Sequence, residues 1–296
     1  MSKPIDQGHN WADAARGFGA FLRSLLHGIP WSESVRAECT LKLSPPKMPH
    51  MTIHNANGRT RVIGQERDNI EIFVEKRARG ATVEVANELL DEIEVLCDEL
   101  TGGLEVEVNA PSSWKRHGSA NLLVHVPRDL GVAVIAANGR VGMEGLRSSA
   151  HARSSNGPVT ISDIIGDVEV FTSNAKVSCS VTCGRLKARS SNSKILVEQH
   201  SGSLDASTSN GVIHAVLSEI GSGGVVLATS NGRIVLELPE DVDGDVDVRV
   251  ENGVIRNSLN IEHAAPDKRT GRLKGRLGRG GIPIKLRTSN GTISLR

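Results

Sequence analysis

The chain has 296 residues, enough for a sizeable core, and a formal net charge of +1, so bulk electrostatics single out no partner. Aromatic residues make up 2% of the chain, Tyr is absent and Gly numbers 31. That composition disfavours an ordinary ring-filled core and suits a narrow one of Val, Ile, Leu and Ala with many turns.

Residues 1–33 differ in character from the remainder of the chain. Trp11, Phe18, Phe21, Leu22, Leu25 and Ile29 fall on one face of a helix that Asn10 would cap, with Arg16, Arg23 and His27 beside the apolar face. The expectation is an amphipathic N-terminal helix that lies on the rest of the fold, on a partner or at a membrane interface. No run of about 18 apolar residues exists and no secretory signal is visible, so a cytoplasmic, at most membrane-peripheral, location is the default.

Residues 34–130 read as an irregular β-rich part that caps or continues the repeat region of residues 131–296. The stretches "NIEIFVEKRA", "IEVLCDEL", "LEVEVNA" and "NLLVHVP" alternate as strands. Thr101 to Gly103 would turn between the second and third, "TVEVANELLDEI" would form a short helix, and "NANGRTRVIG" carries a corner residue at Asn57.

Residues 131–296 are a repeat. An Asn, usually preceded by Ser and usually followed by Gly, recurs at Asn138, Asn156, Asn174, Asn192 and Asn210 in steps of 18. Asn231, Asn252 and Asn290 come after them. Positions six and four before and three and five after each Asn are apolar in all but one of the 32 cases, the exception being Asn257. Alternation of period two on both sides of a corner, at a fixed period near 20, specifies stacked β-strands and excludes helical repeats. The expectation is an all-β fold, a single-chain parallel β-solenoid of 18–21-residue coils wound to the right. Each Asn would stack on the last in an amide ladder, at a corner where positive φ favours Asn-Gly.

These corners, with "HVPRDLGVAVIAANGRV" and the closing "GRLGRGGIPIKLRTSNGTISLR", resemble the "putative-adhesin" family of bacterial β-strand-repeat proteins, a domain of unknown function of the 4097 type. The resemblance covers roughly 240 residues. It implies a β-helix and a surface or adhesive role, and brings no catalytic residues with it.

Candidate chemistry is sparse. His151, Glu169, Lys187 and Asp205 stand five before successive Asn residues, and their alternating sign reads as charge pairing on a solvated sheet. Asp241, Asp243, Asp245 and Asp247 share one side of a strand without the spacing of an EF-hand loop, and read as a solvated, self-repelling face. Cys39, Cys97, Cys179 and Cys183 read as plain thiols. Two basic features could hold an anion: Arg140, Lys176, Lys194 and Arg233, each two after an Asn, and Arg272, Lys274, Arg276 and Arg279 in a Gly-rich stretch. Interleaved aromatics for base stacking are absent, which disfavours nucleic acid.

The function expected is therefore a non-catalytic, adhesin-like interaction or scaffold module without a cofactor. Its partner would be a protein, a glycan, an anionic surface or a second copy. Two alternatives rank behind it: a peripheral membrane or envelope-stress component tethered by the N-terminal helix and, much less favoured, a carbohydrate-active β-helix enzyme.

Overall fold

The structure is a computed structural model and describes residues 33–110, 117–262 and 271–296. The N-terminal face from Trp11 to Ile29 lies outside the described residues. Contacts divide the chain into two units. The described part of the smaller comprises residues 33–37, 76–93, 110 and 117–119; the larger comprises 38–75, 94–109 and 120–296.

The smaller unit contains α1 (Val83–Asp91). Thr82 sits just before it in an extended conformation and its hydroxyl accepts from the Val85 amide at 3.4 Å, the capping arrangement that satisfies a free helical N–H. Ala86, Leu89 and Leu90 form the buried face, and Leu89 and Leu90 pack with Ala78 and Val35.

The larger unit is built of parallel coils, each with a strand on either side of an Asn corner. After β1 (Glu33–Leu43), strands β2 (His50–Asn55) and β3 (Thr60–Gln65) flank Asn57; β4 (Ile70–Gly80) follows, and β8 (Gly131–Ala136) and β9 (Val141–Glu144) flank Asn138. Next come β10 (Ala150–Ser154) and β11 (Val159–Ile165), then β12 (Val168–Thr172), β13 (Val177–Ser190) and β14 (Ile195–Glu237), the last two running through corners. Ala150 pairs in parallel with Val132 and Val168, and Val168 with Leu186. Each partner therefore lies one 18-residue coil away.

All 32 flanking positions of the repeat are buried except Ile255 and Asn257. Each large aliphatic side chain withdrawn from water in this way contributes about 1.5–3 kcal/mol, and the columns of Val, Ile and Leu supply the driving force that rings supply elsewhere.

Chain order and stacking order differ at both ends. The strands β15 (Gly244–Asn257) and β17 (Pro283–Leu295) carry the last two corners. The final coil, β17, pairs on one side with β14 (Asn231 opposite Asn290) and on the other with β15 (Asn252 opposite Asn290). It is thus inserted between the Asn231 and Asn252 coils. At the opposite end β2 lies between β8 and β6 (Gly103–Asn109), and β3 between β9 and β7 (Gly118–Pro127).

Antiparallel strands cover the outermost positions. Strand β5 (Glu94–Leu100) pairs with β6, and β16 (Arg272–Leu277) pairs with residues 244–249 of β15. Residues 251–257 of β15 extend past β16. This explains the one polar exception in the repeat: Asn257 occupies the outermost coil, where its position is exposed.

Candidate functional site

The Asn side chains form one continuous hydrogen-bonded file. The Asn138 Nδ2 donates to the Asn57 Oδ1 at 2.9 Å, Asn156 to Asn138 at 2.9 Å, Asn174 to Asn156 at 3.0 Å and Asn192 to Asn174 at 2.9 Å. Asn210 donates to Asn192 at 3.1 Å, Asn231 to Asn210 at 2.9 Å, Asn290 to Asn231 at 2.9 Å and Asn252 to Asn290 at 3.1 Å. Every amide donates in the same direction. The file is exposed from Asn138 onward, so solvent shares in its satisfaction and each bond stabilises by about 0.5–1.5 kcal/mol at most.

The positive φ expected at the corner is found at Gly58 (+125°), Gly232 (+158°), Gly253 (+155°) and Gly291 (+146°), and at no Asn of the file. Closeness requires Gly as well: a Cβ on Gly139, Gly157, Gly232, Gly291 or Gly253 would collide with the carbonyl oxygen of the glycine in the adjoining coil. A second corner also takes positive φ, where Gly145 (φ +74°), Asp163 (+50°), Val181 (+52°) and Gln199 (+53°) recur every 18 residues.

On the N-terminal side of the file lies a groove of about 780 Å³, crossing the coils from Arg153 to Arg249. Ser155, Ser173, Ser191, Ser209, Ser230 and Ser289, each immediately before an Asn, line it. Beneath them, Thr172, Ser190, Thr229 and Thr288 are buried with hydroxyls that have no hydrogen-bond partner among the described residues. Three before the Asn stand, in stacking order, Arg153, Phe171, Arg189, Ser207, Ala228, Arg287 and Arg249. Arg189 is held by the Asp205 carboxylate, and Arg249 by Asp247 at 3.1 Å. Arg153 and Arg287 are exposed and form no ion pair among the described residues.

The two basic features expected to bind anions have different surroundings. Arg140, Lys176, Lys194 and Arg233 are exposed on the other flank of the file. Arg59 joins them, because Asn57 and Asn138 are neighbours in the stack although 81 residues apart. Sequence reasoning missed that residue, yet "NANGR" holds its signal: an Arg two after the corner Asn.

Of the Gly-rich set, three arginines face the acidic cluster. Arg279 meets Asp243 at 2.8 Å, Arg276 meets Asp245 at 3.7 Å and Arg272 meets Asp247 at 3.1 Å. Lys274 alone of the four is without a partner among the described residues. Asp243, Asp245 and Asp247 are therefore neutralised by arginines, unlike the self-repelling face expected of the cluster, and Asp241 lies in the turn before β15, so the four do not share one strand. Backbone and side-chain bonds from Arg279 hold the Asp243 carboxyl below its ordinary value. Desolvation raises that of Asp247, but hydrogen bonds from Arg249 and Arg272 outweigh it and leave it lowered.

Elsewhere the charges pair across coils. Lys187 bonds Glu169 at 2.6 Å and His151 approaches the same carboxylate at 3.5 Å. The Lys187 bond is the chief reason that Glu169 is held below the ordinary Glu range. All four cysteines are free, and burial pushes the Cys179 thiol up to about 12. No group of three His, Cys, Asp or Glu side chains that could hold a metal occurs among the described residues. No described helix is long and apolar enough to cross a membrane, which says nothing of a β-barrel.

Residues 48–296 match the model of a family described as Toastrack DUF4097. The chain belongs to that family. No curated protein matches the Toastrack chain. Among solved structures it is similar to a "putative adhesin" from Bacteroides fragilis NCTC 9343, at 11% identity and a TM-score of 0.49, covering 88% of this chain and 97% of that one. A "putative adhesin" from Parabacteroides merdae ATCC 43184 matches at 12% identity and a TM-score of 0.45, covering 88% and 96%. A "putative lipid binding protein" from Parabacteroides distasonis ATCC 8503 matches at 9% and 0.37, covering 88% and 97%.

Proposed function

We propose that the Toastrack chain is a non-catalytic, adhesin-like interaction module, its larger unit a right-handed β-solenoid that presents a side face to an extended ligand. The groove beside the Asn file is the observation that carries this reading. It repeats one small hydroxyl per coil over many coils and is bordered by arginines. A repeated, shallow, polar surface suits a ligand that is itself repetitive, whereas catalysis calls for unlike groups converging on one point. The tether reading rests on residues outside the described part and gains no support from the fold.

The reading is tested with the full chain on an immobilised panel of polysaccharides, proteins and phospholipid vesicles. At least one class should be retained and recovered chemically unchanged. A variant with the groove filled, Ser207→Trp with Ala228→Trp, should lose that retention while its melting temperature stays near that of the wild type. Turnover of the retained ligand, or retention indifferent to the filled groove, would overturn it.

A further inference from the structure

Resting on that reading, we infer that the groove binds a linear acidic polysaccharide, with uronate carboxylates held by Arg153 and Arg287. Ion pairing sorts the cations of this face. Arg189 and Arg249 already have carboxylate partners, whereas Arg153 and Arg287 have none among the described residues. They stand five coils apart, about 24 Å at a strand spacing of ~4.8 Å. One short ligand group cannot span them; a chain carrying repeated carboxylates can. A guanidinium matches a carboxylate with two parallel N–H donors, which makes arginine the suited end-holder.

Between these ends the surface changes character. Ser207 and Ala228 keep the middle of the groove open, and the serine column offers one donor–acceptor hydroxyl per coil. Such a strip matches a ligand rich in hydroxyls of its own, which polyphosphate lacks. Phe171 is the one ring lining the groove, and the Lys187 ammonium lies 5.3 Å from its centroid. A single ring can pack on one sugar but supplies no series of platforms for stacked bases, which sets the surface apart from one for single-stranded nucleic acid. Across the Asn file, Arg140, Lys176, Lys194 and Arg233 add positive potential along the same axis, raising the rate of encounter with a polyanion.

Affinity electrophoresis of the full chain through gels containing polygalacturonate tests this. Amylose, polyphosphate and single-stranded DNA gels serve as the other arms. The wild type should be retarded by polygalacturonate well beyond the other three. Arg153→Ala with Arg287→Ala should weaken that retardation roughly tenfold or more, the equivalent of one good charge-assisted contact. Arg185→Ala with Arg256→Ala removes the same charge from exposed sites outside the groove and should change it little. Equal loss in both double variants, or equal retardation by polyphosphate or DNA, would overturn the inference in favour of bulk charge. Preference for amylose that the filled groove abolishes would overturn the ligand class yet leave the interaction reading standing. Retardation by no polymer would overturn the polysaccharide inference, while failure of the immobilised panel to retain the chain on any class would overturn the interaction reading beneath it.

Discussion

At the scale of single residues, two positions carry costs that the repeat obliges the chain to bear. Val181 occupies the left-handed region at φ +52° as the third member of the second corner column, between Asp163 and Gln199. A β-branched side chain there is strained by about 1–2 kcal/mol, and 51% exposure means it recovers little by packing. Val181→Asn should raise the unfolding free energy measured in urea by about 1 kcal/mol, with an unchanged denaturant slope. A loss of stability would show that the valine packs in a way its exposure conceals.

His200 is the second such residue, fully buried in a core made mostly of aliphatics. Its Nδ1 lies 2.9 Å from the Thr182 hydroxyl and its Nε2 lies 3.2 Å from the Ser203 carbonyl oxygen. Nδ1 also lies 3.1 Å from the Thr182 carbonyl oxygen, and a neutral ring, with one N–H, can donate to only one of the two carbonyls. Burial, the larger effect, lowers its pKa against the opposing carbonyl bonds. The stabilisation is therefore fully present above the unfolded value, near 6.5, and is lost as pH falls from there through the lower folded value. Thermal melts between pH 7.5 and 5 should show a shallower loss of stability in His200→Leu than in the wild type; parallel curves would mean that the ring titrates alike in both states.

At the scale of elements, the acidic and basic segments near the C-terminus act as one clasp. Strands β15 and β16 run antiparallel, and Asp243, Asp245 and Asp247 are met by Arg279, Arg276 and Arg272. Asp247→Asn should cost about 1 kcal/mol after allowance for its partial exposure, and should speed amide exchange in residues 272–277 selectively. In the wild type the lowered values of Asp243 and Asp247 predict stability that is present above the ordinary Asp value, about 3.9, and lost as pH falls through their folded values. Exchange in residues 272–277 that ignores both the substitution and acid would contradict the clasp.

The same segments mark how far the sequence was legible. Period, alternation and corner residues specified the coils because every coil is shaped by the same contacts. The clasp was not legible, because "DVDGDVDV" and "GRLKGRLGRGG" each look unpaired when read along the chain, and only antiparallel pairing sets them opposite one another. The groove escaped for a related reason. The arginines of its column are interrupted by Phe171, Ser207 and Ala228, and Arg287 joins them only through the displaced final coil, so no uniform character marks the column along the chain.

At the scale of the whole molecule, the larger unit departs from a simple spool. Both its first and its last corner-bearing coils in sequence are second from the end in space. Strand β17 is thus paired along both edges, with β14 on one side and β15 on the other. The intervening segments, β5 with β6 and β15 with β16, then close the two ends with antiparallel strands that leave less bare parallel edge for another chain to join. The continuous Asn file keeps to this spatial order, since Asn290 bonds both Asn231 and Asn252.

Stacking order is therefore the claim on which the groove, the file and the clasp all depend, and disulfide trapping measures it directly. Val226 pairs with Lys285, and Lys285 in turn with Asp247. In a background with Cys39 and Cys183 changed to Ser, Val226→Cys with Lys285→Cys should form an intramolecular disulfide under mild oxidation, since adjoining strands lie within bridging range, about 4.4–6.8 Å between Cα atoms. Val226→Cys with Asp247→Cys, two strands apart, should remain reduced. A disulfide in the second pair and none in the first would mean that the coils stack in chain order.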